Sequence, residues 1–446
     1  MNRFLNISVL ALFVGVGCGS AAPKVSRAVE PVVEKPAATT QKPNAAVPTP
    51  EDEEYNARIA AMLERVAKAR GLPIKRRVPG LVLNRDEILR RVRAQVEHDM
   101  PREAMVGQGE LLAALELVPA DYDFVSGTFA LLGGRIAGFY DPKDGTMVLA
   151  EDLDDAEAEE TLAHELAHAL ADQSFPLAPM IDYKPGDGDR LSAVHSFIEG
   201  DATSAMLDVT LGSAFKMPED AVRLAFIAST QLSEIGGRTP RLINASLVSP
   251  YTDGFSIIQA LRRRGDWQAV DSVWRMMPDT TEQLLHIEKL LAREPALPVS
   301  APTLGVFEKR GFSTILSDVF GEQSFRLMFE DFSSRDRARE AAAGWGGDRF
   351  VVGERKEGEK GQYVFALSLR MDTEEDAKEA SFLFAKKYGK ACKERAAQGP
   401  IVWQLRGRDI ALVAGPYERA GGSTRSIGSC LESEAWLAEV WQGVKP

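Results

Sequence analysis

Residues 161–170 read Thr-Leu-Ala-His-Glu-Leu-Ala-His-Ala-Leu, and this stretch decides how the rest of the chain is interpreted. No glycine or proline interrupts it, and its leucines and alanines supply apolar surface that can bury a helix. His164 and His168 are four residues apart, so both imidazoles lie on one helix face, where they can bind a single Zn²⁺. Glu165 follows the first histidine, and its carboxylate can reach a metal-bound water as general base. The alternative is a pair of packed core histidines, whose buried ring nitrogens would need separate partners.

A third zinc ligand is expected further along the chain, because catalytic zinc usually takes three protein ligands and a water. Residues 195–203 read His-Ser-Phe-Ile-Glu-Gly-Asp-Ala-Thr in a helical setting, far enough downstream for a loop and a returning helix. Glu199 is the predicted ligand, and a solvated helix carboxylate is its alternative interpretation. His195 lies one turn before it and is either the ligand instead or part of the pocket. Asp201 is either a hydrogen-bond acceptor for an imidazole N–H or a surface residue.

This order of residues, His-Glu-x-x-His and then a glutamate from a later helix, resembles the gluzincin class of zinc metallopeptidases. Over about residues 70–295 the chain also resembles a group of uncharacterised bacterial metallopeptidase lipoproteins. The resemblance implies a mainly helical, zincin-like domain in which His164, His168 and Glu199 hold zinc and Glu165 is catalytic. Thr203 departs from the pattern, since familiar gluzincins often carry an aspartate four residues after the ligand glutamate. The segments that carry the resemblance are 137–142, 164–173, 199–203 and 281–286, with a weaker echo at 344–348.

Peptide hydrolysis also needs a donor that stabilises the oxyanion formed as water attacks the carbonyl. His286 and Tyr251 are the candidates that chain order and chemistry allow, and each is equally well explained as a hydrogen-bonded packing residue. A β-hairpin is predicted from two apolar runs, 136–140 and 146–149, that flank an Asp-Gly pair. By resemblance to gluzincins, this hairpin would offer its edge to an extended peptide. A plain structural hairpin is the alternative.

The chain has 446 residues, too many for one ordinary domain, and its hydrophobic fraction of 45% is that of a globular protein. Its net charge of −12 argues against nucleic-acid binding, which depends on neutralising phosphates. Three prolines between residues 295 and 302 indicate a boundary. We expect an α+β protein with a metallopeptidase-like domain at 54–295, containing a small β-hairpin or sheet, and a smaller α+β domain at 303–446. The predicted helices include 54–70, 85–98, 374–393 and 431–441, and the predicted strands include 78–83, 350–353, 363–369, 401–405 and 410–414.

The first residues are typical of a secretory signal: a basic start, the apolar run 4–14 and small residues before Cys18. The pattern resembles a bacterial lipoprotein signal, with residues 1–17 removed and Cys18 lipidated, although Gly15 stands where that motif usually carries a bulky aliphatic residue. Residues 18–53 are rich in Ala and Pro and are predicted to form a disordered tether. These features predict a bacterial envelope protein, an outer-membrane lipoprotein facing the periplasm or the cell surface, with plain secretion as the alternative.

Cys392 and Cys430 both lie in the predicted C-terminal domain of a chain addressed to an oxidising compartment. A disulfide between them is expected, and two buried free thiols are the alternative.

Two functions from different classes fit the sequence. The first is an envelope-anchored zinc metallopeptidase whose partners are a peptide or protein substrate and the membrane, through the lipid anchor. The second is a non-catalytic lipoprotein that binds or scaffolds envelope partners. The base beside two ligand histidines favours the enzyme, because a structural zinc site usually closes all four positions with protein ligands.

Overall fold

The computed structural model of the protein describes residues 50–232, 239–358 and 360–443. The predicted signal at 1–17, Cys18 and most of the tether lie outside the described residues. Within the described ranges no helix is long and apolar enough to cross a membrane. The helices there are α1 (Pro50–Arg70), α2 (Arg85–Asp99), α3 (Arg102–Ala114), α4 (Phe124–Arg135), α5 (Asp155–Ser174), α6 (Gly188–Leu211), α7 (Glu219–Leu232), α8 (Arg241–Trp274), α9 (Thr281–Leu285), α10 (Ile287–Ala292), α11 (Val306–Lys309), α12 (Gly321–Glu330), α13 (Arg335–Ala343), α14 (Glu374–Tyr388) and α15 (Cys430–Gly443). The strands there are β1 (Gly80–Leu83), β2 (Gly138–Asp141), β3 (Thr146–Ala150), β4 (Ser313–Asp318), β5 (Trp345–Glu357), β6 (Lys360–Met371), β7 (Ile401–Arg406), β8 (Asp409–Ala420) and β9 (Ser423–Ser426).

The first sheet has three strands in the order β1-β3-β2. β1 runs parallel to β3, whereas β2 runs antiparallel to it, with Gly138 opposite Leu149 and Asp141 opposite Thr146. The predicted hairpin is therefore confirmed. Gly145 has a φ of +72°, a conformation that glycine adopts without a steric penalty, and it allows the tight turn. β2 forms one edge of this sheet, and β3 is the strand that precedes α5.

The second sheet has the order β4-β5-β6-β8-β7, with β9 on β8, and all its neighbouring strands are antiparallel. β5 is much longer than the strand predicted at 350–353, because it already begins at Trp345. A Cβ atom on Gly347 would lie 2.3 Å from the carbonyl oxygen of Leu297. Glycine here permits a close approach of two backbones rather than a turn.

Two predicted helix boundaries differ from the structure. α1 already begins at Pro50, inside the predicted tether, because proline is favoured in the first turn of a helix. The helix predicted at 374–393 ends at Tyr388, since Gly389, with a φ of +85°, turns the chain out of the helix.

The regions before and after the predicted boundary share one hydrophobic core. Leu112 of α3 belongs to the same continuous cluster of buried side chains as Phe365 of β6 and Leu412 of β8. The Tyr417 hydroxyl donates a hydrogen bond of 2.8 Å to the carbonyl oxygen of Glu110. The class is α+β, as predicted, and the second sheet packs directly on helices of the N-terminal region.

Candidate metal centre

Helix α5 holds the sequence motif in a fixed position. It begins with a capping box in which the Asp154 carboxylate accepts a 2.9 Å hydrogen bond from the Glu157 N–H, while the Glu157 side chain reaches back to the Asp154 N–H. His164 and His168 are 3% and 7% exposed. The helix predicted from residues 161–170 is confirmed, and both histidines are buried on its inner side.

Helix α6 carries Glu199 and crosses α8 at a pair of glycines. A Cβ atom on Gly200 would lie 2.1 Å from the carbonyl carbon of Gly254, and one on Gly254 would lie 1.8 Å from the carbonyl oxygen of Ser196. The two backbones are therefore in direct contact beside Glu199, which only glycine permits. This crossing determines where the Glu199 carboxylate sits relative to α5.

We expect Gly254→Ala to destabilise the protein by about 3 kcal/mol, because the added methyl group has no room between two backbones. Urea unfolding measures this loss. Gly443→Ala is the matched control, since a Cβ atom there meets nothing within 4 Å. Equal stabilities of the two variants would contradict the close crossing.

The ligand atoms of the three predicted residues converge. His164 Nε2 lies 3.1 Å from His168 Nε2 and 3.1 Å from Glu199 Oε2, and His168 Nε2 lies 3.6 Å from the same Glu199 oxygen. Ligands bound at zinc distances around a tetrahedral ion are about 3.4 Å apart. The three atoms therefore have the spacing of a zinc site, and the two-nitrogen, one-oxygen donor set is one that zinc commonly takes.

Electrostatics couples the three side chains. Burial lowers the pKa of His164. Burial also opposes protonation of His168, but the Glu199 carboxylate beside it outweighs this and raises the His168 pKa. Burial alone would raise the Glu199 pKa, but His168 and His164 hold it well below its usual range. Glu199 is therefore an anion facing two imidazoles, the charge state that a cation site needs.

Glu165 lies beside this group and is 2% exposed. Its Oε2 accepts a 2.8 Å hydrogen bond from the backbone N–H of Tyr140 in β2, whereas its Oε1 accepts none from the described residues. Burial raises the pKa of Glu165 to about 8, with the Glu199 charge adding to the shift. One oxygen is thus held by the edge strand and the other is left without a protein donor.

Tyr251 and His195 also lie near the three residues. The Tyr251 ring centroid is 5.9 Å from that of His164, and the Tyr251 ring stacks on Phe226 at 4.8 Å. His195 Nδ1 lies 3.9 Å from Glu199 Oε1, the oxygen that faces away from the other two histidines. His195 therefore lines the site, while Glu199 is the residue whose carboxylate joins the convergent group.

Two other predicted site residues are engaged elsewhere. His286 Nε2 lies 2.9 Å from Glu322 Oε1 in α12, and no described contact links it to the three convergent residues. Asp201 accepts hydrogen bonds of 2.7 and 3.0 Å from Arg70 and another from the Trp274 indole. The predicted hydrogen bond from an imidazole to Asp201 is therefore replaced by a buried ion pair that fixes α1 against α6.

The sequence interpretation missed a group of residues that supports β2. Asp172 Oδ2 accepts a hydrogen bond of 2.8 Å from the Tyr140 hydroxyl and one of 2.6 Å from Arg76 Nη2. Asp172 follows His168 by one helical turn, so its place on the buried face of α5 was a signal that could have been used. This network ties the edge strand to the helix that carries the histidines.

A second cluster of acidic side chains is already paired with a lysine. Glu282, Glu294 and Asp372 lie close enough together to suggest a cation site. Lys289 Nζ lies 2.5 Å from Glu282, 3.1 Å from Glu294 and 2.8 Å from Asp372. The lysine supplies the positive charge that a metal would otherwise bring.

Cys392 and Cys430 are joined by a disulfide, with their Cα atoms 5.7 Å apart. Cys430 is the first residue of α15. The bond therefore ties the last helix to the chain segment that follows α14.

Comparison with known proteins gives a partial match. Residues 311–422 match a family described as a domain of unknown function (DUF8575), which covers about a quarter of the chain. No curated protein and no solved structure matches. The match spans β4 to β8 and includes α12, whereas His164, His168 and Glu199 lie outside it.

Asp189, at the start of α6, is a buried carboxylate that sequence reasoning also missed. It is 4% exposed, and burial raises its pKa to about 8, with Asp348 and Glu322 adding to the shift. Unfolded aspartate releases its proton near pH 4. The folded protein thus holds a proton that the unfolded chain has lost, so stability falls as the pH rises from about 4 to about 8.

We expect Asp189→Asn, which stays neutral, to gain about 3–4 kcal/mol of unfolding free energy relative to the wild type between pH 5 and pH 8. Asparagine can still accept the two hydrogen bonds that Thr281 donates. Urea unfolding at both pH values measures the difference. If the unfolding free energies of the variant and the wild type differ by the same amount at both pH values, Asp189 is ionised in the folded protein at both.

Proposed function

We propose that the protein is a zinc-dependent metallopeptidase of the bacterial cell envelope. The observation that carries the proposal is the convergence of His164 Nε2, His168 Nε2 and Glu199 Oε2 at 3.1 to 3.6 Å, with the buried Glu165 carboxylate next to them. Packed core histidines would not require an anionic carboxylate between them. The donor set is that of catalytic rather than structural zinc sites, since three protein ligands leave a coordination position open.

A zinc ion held by these three residues would supply an acidified water and would polarise the carbonyl that the water attacks. Glu165 would accept the proton that this water loses and would deliver it to the leaving amine. Its Oε1 is the oxygen placed for this task, because Oε2 is held by the Tyr140 N–H.

The edge strand supports a peptide substrate. β2 pairs with β3 on one side, and on the other its Tyr140 N–H reaches Glu165. An extended peptide added along this edge would lie next to the convergent residues and would be held mainly by main-chain hydrogen bonds. Such binding tolerates many sequences, so we expect side-chain preference to be modest.

The envelope location rests on the signal-like N-terminus with Cys18, and the disulfide between Cys392 and Cys430 supports it. Structural disulfides persist in oxidising compartments such as the periplasm and the cell surface. Lipidation at Cys18 would leave the catalytic region tethered to a membrane through the segment that precedes α1.

Removal and return of metal test this function. We expect the purified protein to hydrolyse fluorogenic peptides from a mixed-sequence library, to lose this activity with 1,10-phenanthroline, and to regain it with Zn²⁺ but not with Mg²⁺. Hydrolysis that survives complete zinc removal would contradict the proposal. Zinc binding without hydrolysis of any peptide in the library would instead support the non-catalytic envelope protein.

A further inference from the structure

A cavity of about 380 Å³ lies between the start of α6, the segment before α11 and the start of β5. Its volume is within the range of small-molecule sites. Leu297, Pro298 and Val299 form part of its wall, and the charged side chains that line it are Asp187, Asp189, Asp279, Asp348, Arg190 and Arg349. Arg190 pairs with Asp187, and Asp279 pairs with Arg293. The cavity is separate from the candidate metal centre, because neither the two histidines nor Glu199 lines it.

Asp189 and Asp348 are 4% and 3% exposed, and in the described part of the chain neither forms an ion pair with a lysine, arginine or histidine. Asp348 already accepts hydrogen bonds from the backbone N–H groups of Phe320 and Gly321 and from the Trp345 indole. Arg349 also lines the cavity, but its Nη1 donates to the carbonyl oxygen of Gly186 rather than to either carboxylate. Two buried carboxylates that no cation contacts are unfavourable unless a proton or a cation joins them.

Asp189 has one oxygen to spare. Its Oδ1 accepts a hydrogen bond of 3.1 Å from the Thr281 N–H and one of 2.5 Å from the Thr281 hydroxyl. Its Oδ2 accepts no hydrogen bond from the described residues. Gly321 makes room for this carboxylate, because a Cβ atom there would lie 1.6 Å from Asp189 Oδ1. The chain therefore leaves space for a buried acid whose second oxygen has no protein donor.

We propose that this cavity binds a small organic ligand with a primary ammonium group and a short apolar body, the ammonium donating to Asp189 Oδ2 and the apolar part packing on residues 297–299. An ammonium fits better than a bare metal ion, since among the described residues the groups of convergent ligand atoms include neither Asp189 nor Asp348. The carboxyl group of Asp348, which lines the same cavity, also favours a cationic ligand. The raised pKa of Asp189 is the expected state of the site without its cation.

Isoamylamine and isovalerate are matched probes, because they share one branched apolar body and carry opposite charges. Titration of the full protein, followed by ligand-observed NMR, is expected to show saturable binding of isoamylamine and none of isovalerate. Asp189→Asn should weaken isoamylamine binding at least tenfold. Asp279→Asn is the control, since Asp279 lines the same cavity but is 62% exposed and paired with Arg293. This variant should bind isoamylamine as tightly as the wild type does.

A second readout uses only the wild-type protein. Calorimetry at pH 7 in two buffers of different ionisation enthalpy should show that isoamylamine binding releases protons to the buffer, because Asp189 must ionise to pair with the ammonium. Equal binding of both probes, no binding of isoamylamine at about 10 mM, tenfold above the millimolar end of the affinity scale, or undiminished binding by a folded Asp189→Asn variant would overturn the proposal.

Discussion

Replacing Glu165 by glutamine is expected to lower kcat for peptide hydrolysis by about 10²- to 10⁴-fold while the protein keeps its zinc. Glutamine has nearly the same shape and can still accept the hydrogen bond from the Tyr140 N–H, but its amide cannot take up a proton. His164, His168 and Glu199 are unchanged in this variant, so the three candidate zinc ligands are all present. The measurement pairs steady-state hydrolysis with elemental analysis of the same samples.

Glu159→Gln is the matched control, because Glu159 is on the same helix but is 55% exposed and paired with Arg65 at the surface. Its activity and its zinc content should equal those of the wild type. Full activity in zinc-loaded Glu165→Gln would remove Glu165 from the mechanism, and loss of zinc in that variant would show that the carboxylate has a structural part in the metal site.

Arg326→Leu is expected to cost about 3–5 kcal/mol of unfolding free energy. Arg326 Nη2 lies 2.5 Å from Asp253 Oδ2, and the two side chains are 8% and 10% exposed. Removing the arginine leaves a buried carboxylate whose remaining described partner is Gln323, at 2.7 Å. Asp253 directly precedes Gly254, so we expect this substitution to weaken the contact between α8 and α6, the helix that carries Glu199.

Urea unfolding measures this effect, and two variants control it. Arg335 lies on the neighbouring helix α13, and its ion pair with Asp220 is largely exposed. Arg335→Leu should therefore lower the free energy of unfolding by less than about 1 kcal/mol. The double variant Arg326→Leu with Asp253→Leu should recover part of the loss, since no unpaired charge remains. Equal costs for Arg326→Leu and Arg335→Leu would show that the buried pair does not brace the crossing.

The local features of the fold could be predicted because short-range chemistry determines them. Two histidines one turn apart on an uninterrupted apolar helix, and an Asp-Gly pair between two β-prone runs, each specify a structure within about twenty residues. Glu199 was found differently, from the number of ligands that zinc needs and from the resemblance to gluzincins. The structure places its carboxylate at the two imidazoles.

Contacts between distant residues could not be predicted from one sequence. Asp201 pairs with Arg70, 131 residues earlier, and His286 contacts Glu322 across the predicted boundary. Nothing in the sequence near Gly347 shows that the carbonyl oxygen of Leu297 approaches it. In each case the deciding partner belongs to another element, and spacing along the chain does not encode it.

The same reason explains why the region after residue 303 had no predicted role. Its helix α12 places Gln323 and Arg326 against Asp253 of α8, and Gln323 also lies 3.4 Å from Ser196, one turn before the candidate ligand Glu199. Part of the DUF8575 match therefore braces the helices that carry the candidate ligand.

Zinc stoichiometry tests the central claim most directly. Elemental analysis after dialysis should find close to one zinc per chain in the wild type, little or none in Glu199→Ala, and an unchanged content in Glu294→Ala, which alters the acidic group already filled by Lys289. No zinc in the wild type after incubation with added Zn²⁺, or equal zinc in the wild type and Glu199→Ala, would contradict the His164–His168–Glu199 site and the peptidase proposed from it.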